Sequence, residues 1–307
     1  MLLRLFCPGA SKFCDAEVVS ADSMQVYRGM DIGTAKPSAE EMSLLRHHLV
    51  DIRNPDEQFS TGDFVRLADD AVTGIAQRGA LPVVCGGTGF YLKNFIMGLP
   101  EAPPSDAAIR AALKLELQEK GAAALMEELA RSDPESAEKI HRNDEYRLLR
   151  ALEVLRLSGR PLSSYQVSGA AADGAADPLR HRCRFLVIGL FWPREELYRR
   201  IDERCAAMFS RGLPDEVRRL HEAGYGPRDP GLRGISYREF FVKDEQGVFR
   251  ISQDIAGVQA LVAQNSRRYA KRQVTFFASL PEARKLMAGK DEAETAQRLQ
   301  DELERFL

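Results

Sequence analysis

The chain has 307 residues, with 43 Lys+Arg against 45 Asp+Glu and a formal net charge of −2. That balance excludes a coat of positive charge for sequence-blind phosphate binding, which needs a surplus of Lys and Arg, but leaves room for a local basic groove. Hydrophobic residues at 44% and charged residues at 29% are ordinary for a globular protein, and no apolar run approaches the ~20 residues that span a bilayer.

In chain order, Val18 to Ser20, Leu49 to Ile52 and Leu81 to Cys85 read as short buried strands. Thr61 to Arg78 reads as a helix ended by Gly79, and another helix starts at Phe90. Strands alternating with helices predict a parallel sheet covered on both faces. Pro100, Pro103 and Pro104 mark a boundary, after which Ser105 to Gly159 is helical in pattern. Asn143 is the predicted N-cap of a helix carrying Leu148, Leu152 and Leu155 at i, i+4, i+7, ended by Gly159 and Pro161. Ser168 to Asp177, rich in Ala and Gly, reads as a loop. Phe185 to Leu190 returns to strand character, and a helix with Leu197, Ile201 and Met208 on one face stops at Gly212. Glu282 to Leu307 reads as a charged amphipathic helix or tail. The expected organisation is an α/β core over residues 1–99 and 180–280, a helical insertion over 100–179, and a terminal segment over 281–307.

Five scattered cysteines without a C-x-x-C pair indicate neither a zinc site nor a disulfide framework. Five free thiols fit a reducing cytoplasm, and Met1 to Pro8 is too short and lacks an h-region with a cleavage site, so it does not read as a signal peptide.

Three constellations carry chemistry. Asp22 lies just past a strand's C-terminal end, where open α/β sheets place their ligands. It is a candidate general base or a turn cap with Ser23, and position alone does not divide the two. Gly86-Gly87-Thr88-Gly89 follows another strand and offers a close backbone approach and one hydroxyl. The third is a set of cations: Arg147 and Arg150 on one helix face, Arg199, Arg200 and Arg204, Arg233 with Arg238, and the run Arg267, Arg268, Lys271, Arg272. Each group alone is more simply a solvated helix face, but together they make a concentrated basic surface.

The stretch Val18 to Pro37, VVSADSMQVYRGMDIGTAKP, resembles the signature of the tRNA dimethylallyltransferase (bacterial tRNA isopentenyltransferase) family. His47 to Ile52, the Gly86-Gly87-Thr88 turn, Asn143-Asp144 before Tyr146 to Val154, Arg233 to Arg238, and Arg268 to Gln273 resemble it too, in order along nearly the whole chain. The resemblance implies a P-loop NTPase-like parallel sheet core with an inserted all-helical domain that grips the anticodon stem-loop. It implies transfer of a dimethylallyl group from dimethylallyl diphosphate to N6 of adenosine 37, assisted by Mg²⁺, by a cytoplasmic monomer. Catalytic roles fall on Asp22, Thr88 and Arg204. tRNA contacts fall on Asp22, Ser23, Met24, Gln25, Thr88, Arg110, Tyr146, Arg147, Leu148, Leu149 and Arg150, and on Arg233, Gly234, Ile235, Ser236, Tyr237 and Arg238.

The family's diphosphate-cradling G-x-x-x-x-G-K-[ST] loop is missing. In its place stand Leu5 to Cys14, with Gly9, Ser11 and Lys12 as remnants, and four residues where a whole helix is due. A mis-started or frame-shifted reading and a real loss both account for this. The chain as written is expected to bind diphosphate weakly and to be less stable. Two further classes stay open: an RNA-binding protein without catalysis, and a nucleotide kinase on the same architecture.

Overall fold

The computed structural model describes residues 15–99, 102–165, 183–280 and 283–306. In chain order these form β1 (Ala16–Ser20), α1 (Ala39–Leu44), β2 (His47–His48), α2 (Thr61–Gln77), β3 (Leu81–Cys85) and α3 (Gly89–Met97). Three helices follow, α4 (Ala107–Ser132), α5 (Pro134–Lys139) and α6 (Glu145–Ser158). Then come β4 (Val187–Phe191), α7 (Arg194–Ser210), α8 (Leu213–Glu222), the hairpin strands β5 (Phe241–Lys243) and β6 (Phe249–Ile251), α9 (Ile255–Ala278), β7 (Ala283–Met287) and α10 (Glu292–Phe306). The chain divides into two compact units, Met1–Ile96 with Cys183–Leu307, and Met97–Arg182. The Ala/Gly-rich stretch Ser168 to Asp177 and the remnant residues Gly9, Ser11 and Lys12 lie outside the described residues.

In the first unit, β1 is flanked by β2 and β3, all parallel, with Val18 opposite His47 on one side and Val83 on the other. β4 and β7 form a second parallel pair. Val18 of β1 and Leu81 and Val83 of β3 pack with Ile188 of β4, Leu286 of β7 and Leu299 of α10, so one apolar cluster joins the two sheets. Among the described residues, β3 and β4 each have one edge without a hydrogen-bonded neighbour. Both edges line one cavity of about 310 Å³, with Val84, Cys85 and Gly86 on one wall and Ile188 to Trp192 on another.

α2 forms for readable reasons. Ser60 and Asp63 make a reciprocal capping box, Phe64, Val65, Ala68, Val72 and Ile75 face the core, and Gly79 at φ +76° lets the chain leave.

Three expectations need correction. Leu49 to Ile52 is not a strand: pairing stops at His48, because Leu49 and Asp51 take φ +62° and +55°, which no ladder continues. The N-cap of α6 is Asp144, not Asn143; the Asp144 carboxylate accepts the Arg147 N–H at 3.1 Å. The segment after Glu282 begins with a strand, since β7 pairs with β4 before α10 starts. Arg284 and Lys285 hide the strand's alternation, as charges on an edge strand do.

The second unit is a helical bundle. Leu113, Leu125 and Leu129 of α4 pack on Leu148, Leu149, Ala151 and Leu152 of α6. α4 breaks at Gly121, whose φ of +80° interrupts the helix. Below this core sits Glu153, 0% exposed. Its carboxylate takes Arg110 at 3.0 Å, Arg150 at 2.8 Å, the Ser105 hydroxyl at 2.5 Å and the Asp106 N–H at 2.9 Å. Burial pushes the Glu153 pKa up, but the Ser105, Arg150 and Asp106 donors outweigh it and hold the carboxyl below its ordinary value. The folded pKa is therefore depressed, so the stabilisation is present above the unfolded carboxylate pKa and is lost as pH falls through the folded one. Glu153→Ala is expected to cost about 3 kcal/mol by stranding two arginines, the low end for a buried pair because both keep some solvent contact. Urea unfolding at neutral pH measures it, and a loss near zero would mean that the cluster is not structural.

Candidate active site

β1 ends at Ser20 and the chain turns at once. Asp22 Oδ1 accepts the backbone N–H of Met24 at 2.8 Å and of Gln25 at 3.3 Å. Asp22 is thus a turn cap through one oxygen, and among the described residues no donor is bonded to the other. The turn after β3 supplies Thr88, whose hydroxyl oxygen accepts the Ser23 N–H at 3.0 Å and lies 3.3 Å from the Ser23 hydroxyl. The two strand ends are stitched by Ala21 N–H to the Cys85 carbonyl at 2.8 Å and Thr88 N–H to the Ala21 carbonyl at 3.2 Å. Gly86 is required here, because a Cβ would stand 2.2 Å from the Ala21 carbonyl oxygen.

Burial pushes the Asp22 carboxyl above its ordinary pKa. The two turn N–H groups and the Arg204 guanidinium pull it back without cancelling the shift. Burial and then the Asp22 charge also push the Cys85 thiol and the Tyr269 phenol upward, so both stay neutral beside it. Arg204 projects from α7 with no carboxylate partner among the described residues. Its neighbours are occupied, Arg199 by Glu196 and Glu203 at 2.6 and 2.5 Å and Arg200 by Glu196 at 2.8 Å.

α9 closes the other side. Gln273 Nε2 and the Tyr269 hydroxyl donate to the Gly87 carbonyl at 2.7 and 3.3 Å. On the same helix, Arg268, Lys271 and Arg272 line a cavity of about 640 Å³ with Thr275, Phe276 and Ser279. Phe276 lies against Gly89, so this basic cleft adjoins the turn that holds Thr88. Among the described residues none of its three cations has an ion-pair partner, whereas Arg267 is paired with Asp202. A half-buried carboxylate, two hydroxyls and unpaired guanidiniums at parallel strand ends suit proton removal beside a phosphorylated ligand.

The family model described as IPP transferase matches residues 25–280. The chain is similar to tRNA dimethylallyltransferase 1 of Pelobacter propionicus, 45% identical over 269 residues that cover 87% of this chain and 83% of that protein. A tRNA dimethylallyltransferase of Geobacter sulfurreducens is 43% identical over 274 residues, covering 87% and 82%. The chain belongs to the IPP transferase family.

Solved structures agree with that membership. The tRNA isopentenylpyrophosphate transferase of Bacillus halodurans superposes with a TM-score of 0.60 at 34% identity, covering 94% of this chain and 89% of that one. A eukaryotic dimethylallyltransferase acting on tRNA shares the fold at a TM-score of 0.73 and 22% identity, covering 93% and 71%. The fold is the P-loop-like α/β sheet of the IPP transferases with an added set of helices.

The structure sorts the residues that the family resemblance implies. Asp22, Ser23, Gln25 and Thr88 come together around one turn, and Arg204 is close enough to act on Asp22. Arg233 and Arg238 are exposed. Ser236 and Tyr237 are buried, with the Tyr237 hydroxyl committed to Glu216 at 2.7 Å, so their side chains support the segment rather than face a ligand. Leu148 and Leu149 are likewise core residues of the second unit, while Arg147 and Tyr146 face out. Tyr146 is 71% exposed and stacks under the Arg110 guanidinium at 4.6 Å. Three site residues went unassigned in the sequence. Tyr269 and Gln273 lay within the recognised Arg268 to Gln273 stretch without a role, and Cys85 carried no local signal.

Proposed function

We propose that this chain transfers a dimethylallyl group from dimethylallyl diphosphate to N6 of adenosine 37 in the anticodon loop of tRNA, releasing diphosphate. The observation that carries the reading is Asp22, with one oxygen capping its turn and the other without a bonded donor among the described residues, beside the Thr88 turn and under the charge of Arg204. The adenine N6 lone pair is delocalised into the ring, so attack needs a proton acceptor and a good leaving group. The N6–C1 bond forms as the C1–O bond to diphosphate breaks, and the N6 proton passes to Asp22. Negative charge grows on the departing diphosphate, and Arg204 is the cation to receive it. The acceptor must leave the loop stack to reach Asp22, which an unpaired loop permits more cheaply than a duplex.

Tyr146 and Arg147 in the second unit, and Arg233 and Arg238 in the first, present exposed groups suited to RNA phosphates and bases, while Arg110, paired with Glu153, supports Tyr146 from behind. Among the described residues no group of three His, Cys, Asp or Glu could hold a metal ion. Mg²⁺ instead takes substrate phosphates, water and a few hard oxygens, and the Ser23 and Thr88 hydroxyls fit that role. When bound, the ion neutralises diphosphate charge. A non-catalytic RNA binder accounts for the exposed arginines but leaves Asp22 with Thr88 and Arg204 without a purpose.

The test is incubation with dimethylallyl diphosphate and an anticodon stem-loop bearing A37, with nucleoside mass analysis. Absence of the N6 adduct at saturating donor from a chain carrying an intact diphosphate loop would overturn the reading. Arg204→Gln is expected to cut turnover about 10²-fold, as loss of one transition-state donor does. It should also move the acid limb of kcat/KM to higher pH, because Arg204 lowers the Asp22 pKa and the base works only ionised. An unmoved limb would separate Arg204 from Asp22.

A further inference from the structure

Glu216, in the first turn of α8, is 2% exposed and faces none of the reacting groups. A buried carboxylate without a cation is costly unless donors surround it. Here Oε2 accepts the N–H groups of Asp31 at 3.0 Å and Ile32 at 2.8 Å. Oε1 accepts the Gly33 N–H at 3.1 Å and the Tyr237 hydroxyl at 2.7 Å. Three successive backbone donors and one phenol thus converge on a single side chain.

The loop so held is wired to the site. Its next two carbonyls, Thr34 and Ala35, accept from Gln25 Nε2 at 3.4 and 3.3 Å, and Gln25 Oε1 accepts the Ser20 hydroxyl at 3.0 Å. The Gln25 N–H is one of the two donors that fix Asp22 Oδ1. On the other side, the Tyr237 ring fills the space over Gly33, where a Cβ would stand 2.6 Å from Cζ. Gly234 approaches Met24 so closely that a Cβ would lie 2.3 Å from its methyl carbon.

We propose that Glu216 is a positioning residue: it locks the 31–33 loop, aims Asp22 through Gln25, and ties that turn to the Arg233 to Arg238 segment through Tyr237. The inference rests on Asp22 being the base of the proposed reaction. Lys36 clamps the same loop independently, with its ammonium 2.6 Å from both Asp31 and Asp51 and 2.9 Å from the Tyr27 carbonyl. Removing Glu216 therefore loosens the loop rather than freeing it.

The experiment measures single-turnover prenylation of the stem-loop at saturating donor, and stem-loop affinity, for the full chain and for Glu216→Gln and Tyr237→Phe. Glu216→Gln is expected to slow the chemical step about 10–100-fold, the range for an ångström-scale misplacement, with stem-loop affinity little changed. Tyr237→Phe deletes one bond and keeps the ring packing, so a smaller loss of the same kind is expected. In an Asp22→Asn background the Glu216→Gln effect should vanish, because both changes act on one group. Equal losses with and without Asp22, or an unslowed Glu216→Gln chain, would overturn the inference and leave the proposed function standing. A parent chain that does not prenylate even when it carries an intact diphosphate loop would overturn both. If Glu216→Gln does not fold, Tyr237→Phe decides, and full activity in it would count against the proposal.

Discussion

Asp22→Asn is expected to lower the single-turnover rate of prenyl transfer by about 10²–10⁴-fold, the range for removing a general base. The substitution is close to isosteric. The side-chain carbonyl can still accept the Met24 and Gln25 N–H groups, so the turn and the Thr88 contact to Ser23 survive. What disappears is the capacity to take a proton from N6. Stem-loop affinity should therefore hold while the chemical step fails, the pattern of an interaction made only in the transition state. The pH profile supplies a second check. Burial holds the Asp22 carboxyl above its ordinary pKa, so the parent chain should lose activity on acidification sooner than an ordinary carboxylate would, and the variant should lack that limb. A variant prenylating at the parent rate would leave Asp22 as nothing more than a turn cap.

The second large effect concerns the donor. Substituting a complete strand, G-x-x-x-x-G-K-[ST] loop and helix for the residues before Asp15 is expected to tighten dimethylallyl diphosphate binding by at least about 10²-fold. Two restored charge-assisted hydrogen bonds at ~1.5–3 kcal/mol each are enough for that. The loop's backbone N–H groups and lysine would hold the phosphates, while Leu5 to Cys14 offers only Gly9, Ser11 and Lys12 at the wrong spacing. Donor titration by calorimetry measures the change. Equal donor affinity in the two chains would mean that cations such as Arg204, or Arg268, Lys271 and Arg272, hold the diphosphate without the loop.

Much of the site was legible because it sits in one contiguous stretch. Ser20 to Gln25 brings the strand end, the base and the turn donors together, while Cys85, Thr88, Arg204, Tyr269 and Gln273 arrive from elsewhere. Local rules also carried α2, whose cap, apolar face and terminal glycine all agree. They failed where tertiary contacts decide. An aromatic between two arginines, Tyr237, proved to be a core residue, because a buried carboxylate 21 positions earlier holds its hydroxyl. Glu216 itself reads as one more acidic residue in a first helical turn, and nothing in its neighbours announces three backbone donors from 183 to 185 positions earlier. β7 was hidden because its alternation is carried by charged residues on an outer strand.

The divided sheet has its own consequence. Its outer edges are poor templates for further pairing, β2 because it is two residues long and β7 because it carries Arg284 and Lys285. The inner edges are different: β4 reads Val-Ile-Gly-Leu-Phe without a charge, and β3 ends in Val-Val-Cys. Among the described residues both lack a neighbour on that side. Among the described residues the apolar edges therefore face a cavity inside the unit, while the edges turned outward are short or charged.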